Sequence, residues 1–287
     1  YKRQHQAWKP VTVFLNGQYW GHMNLRERVD RFFIAQFEGL PLDQADEMDI
    51  LEANGSVNFG SNKAYRAMLK KIKAGSPATN PDDLQYILDN VDVDNLFEYM
   101  ALEMFVGNSD IGNIRYYRLH QEGSKWKWIW YDADYGLYSS KFNSPWSYLK
   151  VKGMGEQKID NTIFLKLLEH PDYKRKFLEK LADVYKTFTT EYMTQVLDGV
   201  VAEIQPEMKN HWERWGELND KAVTSEVPTT IDGAYTYWES RVNRLYNTLK
   251  VRPHRLWDFI KDEFKLTKTE MEELFGPQPD YPDDAVL

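Results

Sequence analysis

Apolar and polar positions alternate along residues 11–25 (VTVFLNGQYWGHMNL), with one interruption at Asn16-Gly17. An Asn-Gly pair between two runs of period two predicts a tight hairpin, with strands over 11–15 and 18–25. The period then lengthens. Apolar residues three and four apart predict a helix over 28–38, stopped by Gly39 and Pro41. A short strand is expected over 48–53. Helices are expected over 61–74, from Pro81 to Asn90, and from a cap at Asp94 through Phe105 to Gly107. Residues 114–119 and 126–131 are aromatic and β-branched, and the polar link between them contains glycine; they predict a second antiparallel hairpin. After an irregular stretch over 137–160, helical spacing returns over 162–169, 171–187, 189–215 with a break near Pro206, 233–249, 253–264 and 267–274. Strands thus gather in the first half and helices in the second, an α+β layout. The reading is one domain over 1–275, strand-rich to about 136 and helical from about 160, with a flexible tail over 276–287.

The second hairpin matters for chemistry as well as for fold. A hairpin returns the chain to the end it left, so Asn108-Ser-Asp110-Ile-Gly-Asn113 before it and Asp132-Ala-Asp134-Tyr-Gly136 after it become neighbours. Asp110, Asn113, Asp132 and Asp134 then form a set of oxygen ligands, the kind that Mg²⁺ or Mn²⁺ takes through one or two carboxylates. The order also follows that of protein kinases, where a catalytic-loop Asp and a metal-binding Asn precede a strand pair and a second metal-binding Asp follows it. Only Ile111 and Gly112 separate Asp110 from Asn113, a shorter spacing than the kinase motif has. Taken singly, each of these residues also reads as an ordinary turn former. As a set, with Gly112 and Gly136 permitting close backbone approach, they read as a site.

Composition narrows the partners. The chain has 287 residues and a formal net charge of −8, which supplies no basic excess for nucleic acid as the main partner. Without cysteine, thiol catalysis and Cys-ligated zinc are excluded. No apolar run reaches membrane-spanning length. Tyr1 is not Met, so the sequence reads as a fragment or processed form, and an export signal removed upstream leaves an extracytoplasmic or cell-surface place open. Aromatics make up 15% of the chain, which points either to an aromatic-rich core or to stacking surfaces for ligands.

The segments VFLNGQYWGHMNLRERVD, GNSDIGNIRYYR, WKWIWYDADYG and RPHRLWDFIKDEFKL, in this order over roughly residues 11–265, resemble the spore-coat protein H (CotH) family of atypical kinases. The resemblance implies a divergent protein-kinase-like fold that transfers phosphate from ATP, with Mg²⁺ or Mn²⁺, to Ser or Thr of partner proteins. It implies that Asp110 is the catalytic aspartate, that Asp132 holds the metal bridging the phosphates, and that Asn113 and Asp134 complete or support ligation. Glu27 matches an acidic residue that looks like the partner of the family's phosphate-binding lysine. Two departures stand out. Asp49-Ile-Leu-Glu52 occupies the place of a Leu-Tyr-Lys-like segment, and the Arg/Gly segment that often precedes the first hairpin is not in this chain. Arg26 or Arg28 is then the candidate cation for the phosphates, since a guanidinium also pairs with phosphate.

Two further functions remain open on the sequence. One is a catalytically inactive kinase-like module of a surface or polysaccharide-associated protein, its exposed Trp and Tyr stacking on sugar or peptide. The other is metal-assisted hydrolysis by the same acids, for which no histidine stands at ligand spacing.

Overall fold

The computed structural model describes residues 5–150, 159–215 and 230–283. The chain divides into two units: Tyr1–Gln6, Arg28–Thr187 and Arg252–Asp280 make the first; Ala7–Glu27, Phe188–Val251 and Tyr281–Leu287 make the second.

The first unit is built on a four-stranded antiparallel sheet in the order β4-β3-β5-β6, with β3 Met48–Glu52, β4 Ser56–Phe59, β5 Arg115–Leu119 and β6 Lys127–Ile129. Side chains alternate across it as the pleat requires. Met48, Ile50, Tyr117, Leu119 and Ile129 face one core together with Ile34 and Ala35 of helix α1 (Arg31–Glu38). On the other face Tyr116 stacks on Trp128 and meets Trp126 and Tyr65, the last from α2 (Lys63–Ala74). Helix α3 (Pro81–Asn90) leads to α4 (Val93–Val106), which is buried almost all round. A helix with apolar residues on every side belongs inside a core. Here Phe97 of α4 meets Phe164 of α6 (Thr162–Leu168) and Phe177 of α7 (Pro171–Thr187).

In the second unit β1 (Trp8–Leu15) and β2 (Gln18–Arg26) form the first hairpin, and both Asn16 and Gly17 have positive φ, as a two-residue turn of this kind needs. The hairpin lies on α8 (Thr190–Trp215): the Trp215 indole donates to the Trp20 carbonyl at 2.6 Å, and the His22 N–H donates to His211 Nδ1 at 3.1 Å. Trp126 and Trp128 are core, whereas Trp8 and Trp146 are exposed.

Several boundaries differ from the expected ones for identifiable reasons. Helix α1 begins at Arg31 because Asp30 caps it, accepting from the Phe32 and Phe33 N–H groups. Asp92 and not Asp94 caps α4, through the Asn95 N–H. Asn54-Gly55 turns the chain directly into β4, a strand beyond those expected. Within 137–160, Asn143 caps a short helix α5 (Ser144–Tyr148); residues 151–158 lie outside the described residues. Helix α8 passes through Pro206 without a break. The two helices expected around Pro253 are one, α9 (Ile231–Phe264). Proline has no N–H for the carbonyl four residues back, and that carbonyl, of Leu249, accepts from Thr190 Oγ1 at 3.1 Å instead. After α10 (Lys268–Phe275), the Gly276 carbonyl accepts from the Trp257 indole, so the start of the expected tail is held. Among the described residues no helix is long and apolar enough to cross a membrane.

Candidate functional site

Helix α4 ends at Gly107, whose φ of 64° is the left-handed cap that lets the chain leave the helix sharply. A Cβ at this position would stand 2.6 Å from Arg252 Nη2, so glycine is needed for space as well as for conformation. Arg252 is 1% exposed and spends its guanidinium on the carbonyls of Met104, Phe105 and Phe142 and on Ser144 Oγ, at 2.7–3.0 Å. A buried cation at the carboxyl end of a helix is favourably placed against the helix dipole. Burial nevertheless lowers its pKa to about 9.

From this anchor the chain runs into the first acidic loop. Asn108 is buried, and its Oδ1 accepts the Asp110 N–H at 3.1 Å; the Asn113 N–H then donates to the Asp110 carbonyl. Strand β5 follows, and β6 brings the chain back with Arg115 opposite Ile129. Extending that register sets residue 113 against residue 131, and their side chains do meet. The Tyr131 hydroxyl donates to Asn113 Oδ1 at 2.7 Å, and Asn113 Nδ2 donates to Asp132 Oδ2 at 2.6 Å. Asp132 itself has a φ of 54°, a strained conformation for a residue with a side chain, of the sort that concentrates at functional sites. The second loop is tied back to α4 by the Leu137 N–H, which donates to the Val106 carbonyl at 2.6 Å. Gly136 is required there, since a Cβ would stand 2.8 Å from the Ala133 carbonyl.

Asp110, Asn113, Asp132 and Asp134 are therefore gathered as the sequence implies. The electrostatics agree: partial burial, and then the charges of Asp132 and Asp134, push the Asp110 carboxyl above its ordinary range, against the Asn113 hydrogen bond that pulls it down. Among the described residues no group of three His, Asp or Glu side chains is placed to hold a metal ion. Asn113 has both ends of its amide engaged, and Asp134 is exposed. What fits is the sparser arrangement usual for Mg²⁺, one or two carboxylates with water and phosphate completing the shell. Asp132, whose other carboxylate oxygen lies outside the Asn113 bond, is the residue that suits it.

The candidate cations are placed differently. Arg28 is exposed, its Nε 3.8 Å from Asp30 Oδ2. Arg26 and Glu27 belong to the second unit, where Glu27 Oε2 accepts the Ala7 N–H at 2.9 Å and closes the base of the first hairpin. Sequence reading missed Arg115. Its guanidinium lies 5.0 Å from the Tyr131 ring centroid, donates to the buried Val29 carbonyl and pairs with Glu52 at 3.3 Å. Glu52, in the place of the expected lysine, is thus the cross-strand partner of an arginine. The signal lay in the pairing of β3 with β5, which a single sequence does not print. A cavity of about 650 Å³ on the α2 and α6 side of the sheet is lined by Tyr65, Met100, Ile114 and Trp128 among others, and by none of the four residues of the acidic end.

Comparison with known proteins adds one finding. No curated protein matches the chain. A family model described as CotH kinase protein matches residues 2–256, nearly the whole chain. The chain belongs to the CotH kinase family.

Proposed function

We propose that the acidic end of the β5–β6 hairpin transfers the γ-phosphoryl group of ATP to a Ser or Thr hydroxyl of a partner protein, on a divergent protein-kinase-like fold. The observation that carries this reading is the gathering of Asp132 and Asp134 about Asp110, whose carboxyl is raised first by burial and then by their charges, a cluster that favours positive charge. In the reaction the acceptor oxygen bonds to the γ-phosphorus as the bond from phosphorus to the bridging oxygen breaks, and that oxygen leaves with its electron pair on ADP. Asp110 orients the acceptor hydroxyl and takes its proton. Asp132 would hold Mg²⁺ or Mn²⁺, which supplies charge neutralisation at the phosphates when bound. Asn113 fixes the Asp132 carboxylate, and Tyr131 fixes Asn113.

The test is calorimetric titration with ATP and Mn²⁺ or Mg²⁺, followed by transfer of label from γ-labelled ATP to Ser or Thr. Binding that requires metal and is lost in Asp132→Ala, with transfer lost in Asp110→Asn, is the expected result. A second reading rests on Glu52, an acid where the family's phosphate-binding lysine is expected: a kinase-like binding module without catalysis, on a surface or polysaccharide-associated protein. It predicts no transfer in wild type, and ligand binding that is indifferent to Asp110→Asn.

A further inference from the structure

Beneath the acidic loop lies a carboxyl that the proposed reaction does not use. Glu103 of α4 is 2% exposed, and its Oε2 stands 2.8 Å from the Tyr148 hydroxyl. The same hydroxyl stands 3.2 Å from the backbone carbonyl of Asn108. Tyr148 and Asn108 are also buried, so water does not settle the matter. A phenol has one proton to give. Were Glu103 a carboxylate, the one phenol proton would serve either the 2.8 Å contact with Glu103 or the Asn108 carbonyl, and the other pair of buried oxygens would face each other without a proton between them, which is costly.

A proton on Glu103 resolves the conflict. Glu103 donates to the Tyr148 oxygen, Tyr148 donates to the Asn108 carbonyl, and each donor has one acceptor. The surrounding groups divide into two influences. Burial raises the carboxyl, while the donors about it, Tyr148 and then Asn108, favour the charged form; the balance lies at about 7. The ionisable groups facing this cluster are Tyr99 from α4 itself, Tyr148 from α5, Asp110 from the loop, whose charge acts on both phenols, and Tyr131 from the strand end beyond β6.

We propose that Glu103 is a positioning residue that works as a carboxylic acid: its proton, relayed through Tyr148, holds the Asn108 carbonyl and thereby fixes the backbone that carries Asp110. The last link is the Asp110 N–H, bonded to the Asn108 side chain. Loss of the proton frees the Asn108 carbonyl and slackens the loop. This holds whatever reaction the loop serves.

Glu103→Gln is the informative variant, because an amide donates to Tyr148 at every pH and has no proton to lose. In wild type the folded chain keeps the Glu103 proton up to about pH 7, while the unfolded chain releases it near 4.5. The folded state therefore binds more protons in that window, and wild type loses stability as pH rises. In urea unfolding, E103Q should gain on wild type from pH 4.5 to 7 and level off above. In NMR of the ¹³C-labelled wild type, one Glu carboxyl should titrate near pH 7, and the Asp110 amide should follow the same midpoint in wild type but not in E103Q. A stability difference that is flat with pH, or Glu carboxyls that all titrate in the ordinary range, would overturn the proposal. If E103Q does not fold, the carboxyl titration of wild type alone decides between the two.

Discussion

Asn113 Nδ2 and Asp132 Oδ2 are 2.6 Å apart although the two residues lie 19 positions from each other in the chain. That bond fastens the loop before β5 to the loop after β6 and leaves one oxygen of Asp132 free of it. The acid is thus held in place without being neutralised.

Asp132→Asn preserves the shape of this pair and removes its charge. Metal-dependent ATP binding should weaken by on the order of 10- to 100-fold or more, the range carried even by outer partners of bound metals. The Asp110 carboxyl should at the same time titrate closer to its ordinary range, because one of the two repelling charges is gone. Calorimetry reads the first effect and carboxyl NMR the second; an unmoved Asp110 titration would show that burial alone raises it.

Asp110→Asn should cut phosphoryl transfer by about 10²- to 10⁴-fold, the usual share of a positioned acid or base, with nucleotide affinity nearly unchanged. On the proposed mechanism, transfer needs the ionised carboxylate. In the metal-free chain the Asp110 carboxyl is raised from 3.8 by burial and then by Asp132 and Asp134, so carboxyl NMR without metal should place its titration above that value. Initial rates with binding measured in parallel check the first statement, and the NMR titration checks the second.

Glu52→Lys, a change toward the family's expected residue, should harm the protein. It sets a second cation opposite Arg115 across β3 and β5, and like charges directly opposite cost roughly 0.2–1 kcal/mol. Arg115→Met should cost more, about 1–3 kcal/mol, since the buried Val29 carbonyl loses its donor. Equilibrium denaturation ranks the two; a stabilised Glu52→Lys would refute the structural role given to this pair.

Gly107→Ala and Arg252→Met attack one anchor from opposite sides. The alanine Cβ must displace a guanidinium bonded to four acceptors, so its cost should exceed the ~1–2 kcal/mol of left-handed strain alone. Arg252→Met removes the guanidinium that bonds the Met104, Phe105 and Phe142 carbonyls and should cost about 1–3 kcal/mol or more. Lysine should not rescue it, having no planar fork to reach them. Urea midpoints of the folded variants are the measurement.

What the sequence disclosed follows the range of each interaction. The hairpins were legible because Asn16-Gly17 and the aromatic runs are local signals, and the hairpin's geometry alone brought Asp110 and Asp132 together. The α4 cap was misplaced because Asp92 and Asp94 carry equal local signals. The Pro253 break was expected because proline's cost is local, whereas the partner that offsets it, Thr190, is 59 residues from Leu249. Arg115, Glu103 and Tyr148 escaped notice for the same reason. Their meaning depends on pairings between β3 and β5 or between α4 and α5, and nothing near them in the chain announces those pairings.

Both acidic loops hang from the last turn of α4, one by the chain itself through Gly107 and the other by the bond from Leu137 to Val106. The far end of the hairpin, His120–Lys125, bears no part of that suspension. Insertions or tags placed at that tip should leave the spacing of the acids untouched, whereas a one-residue change in the stalk between Val106 and Asp110 should dismantle it. The molecule keeps its tolerance for length at one end of the ribbon and its intolerance at the other.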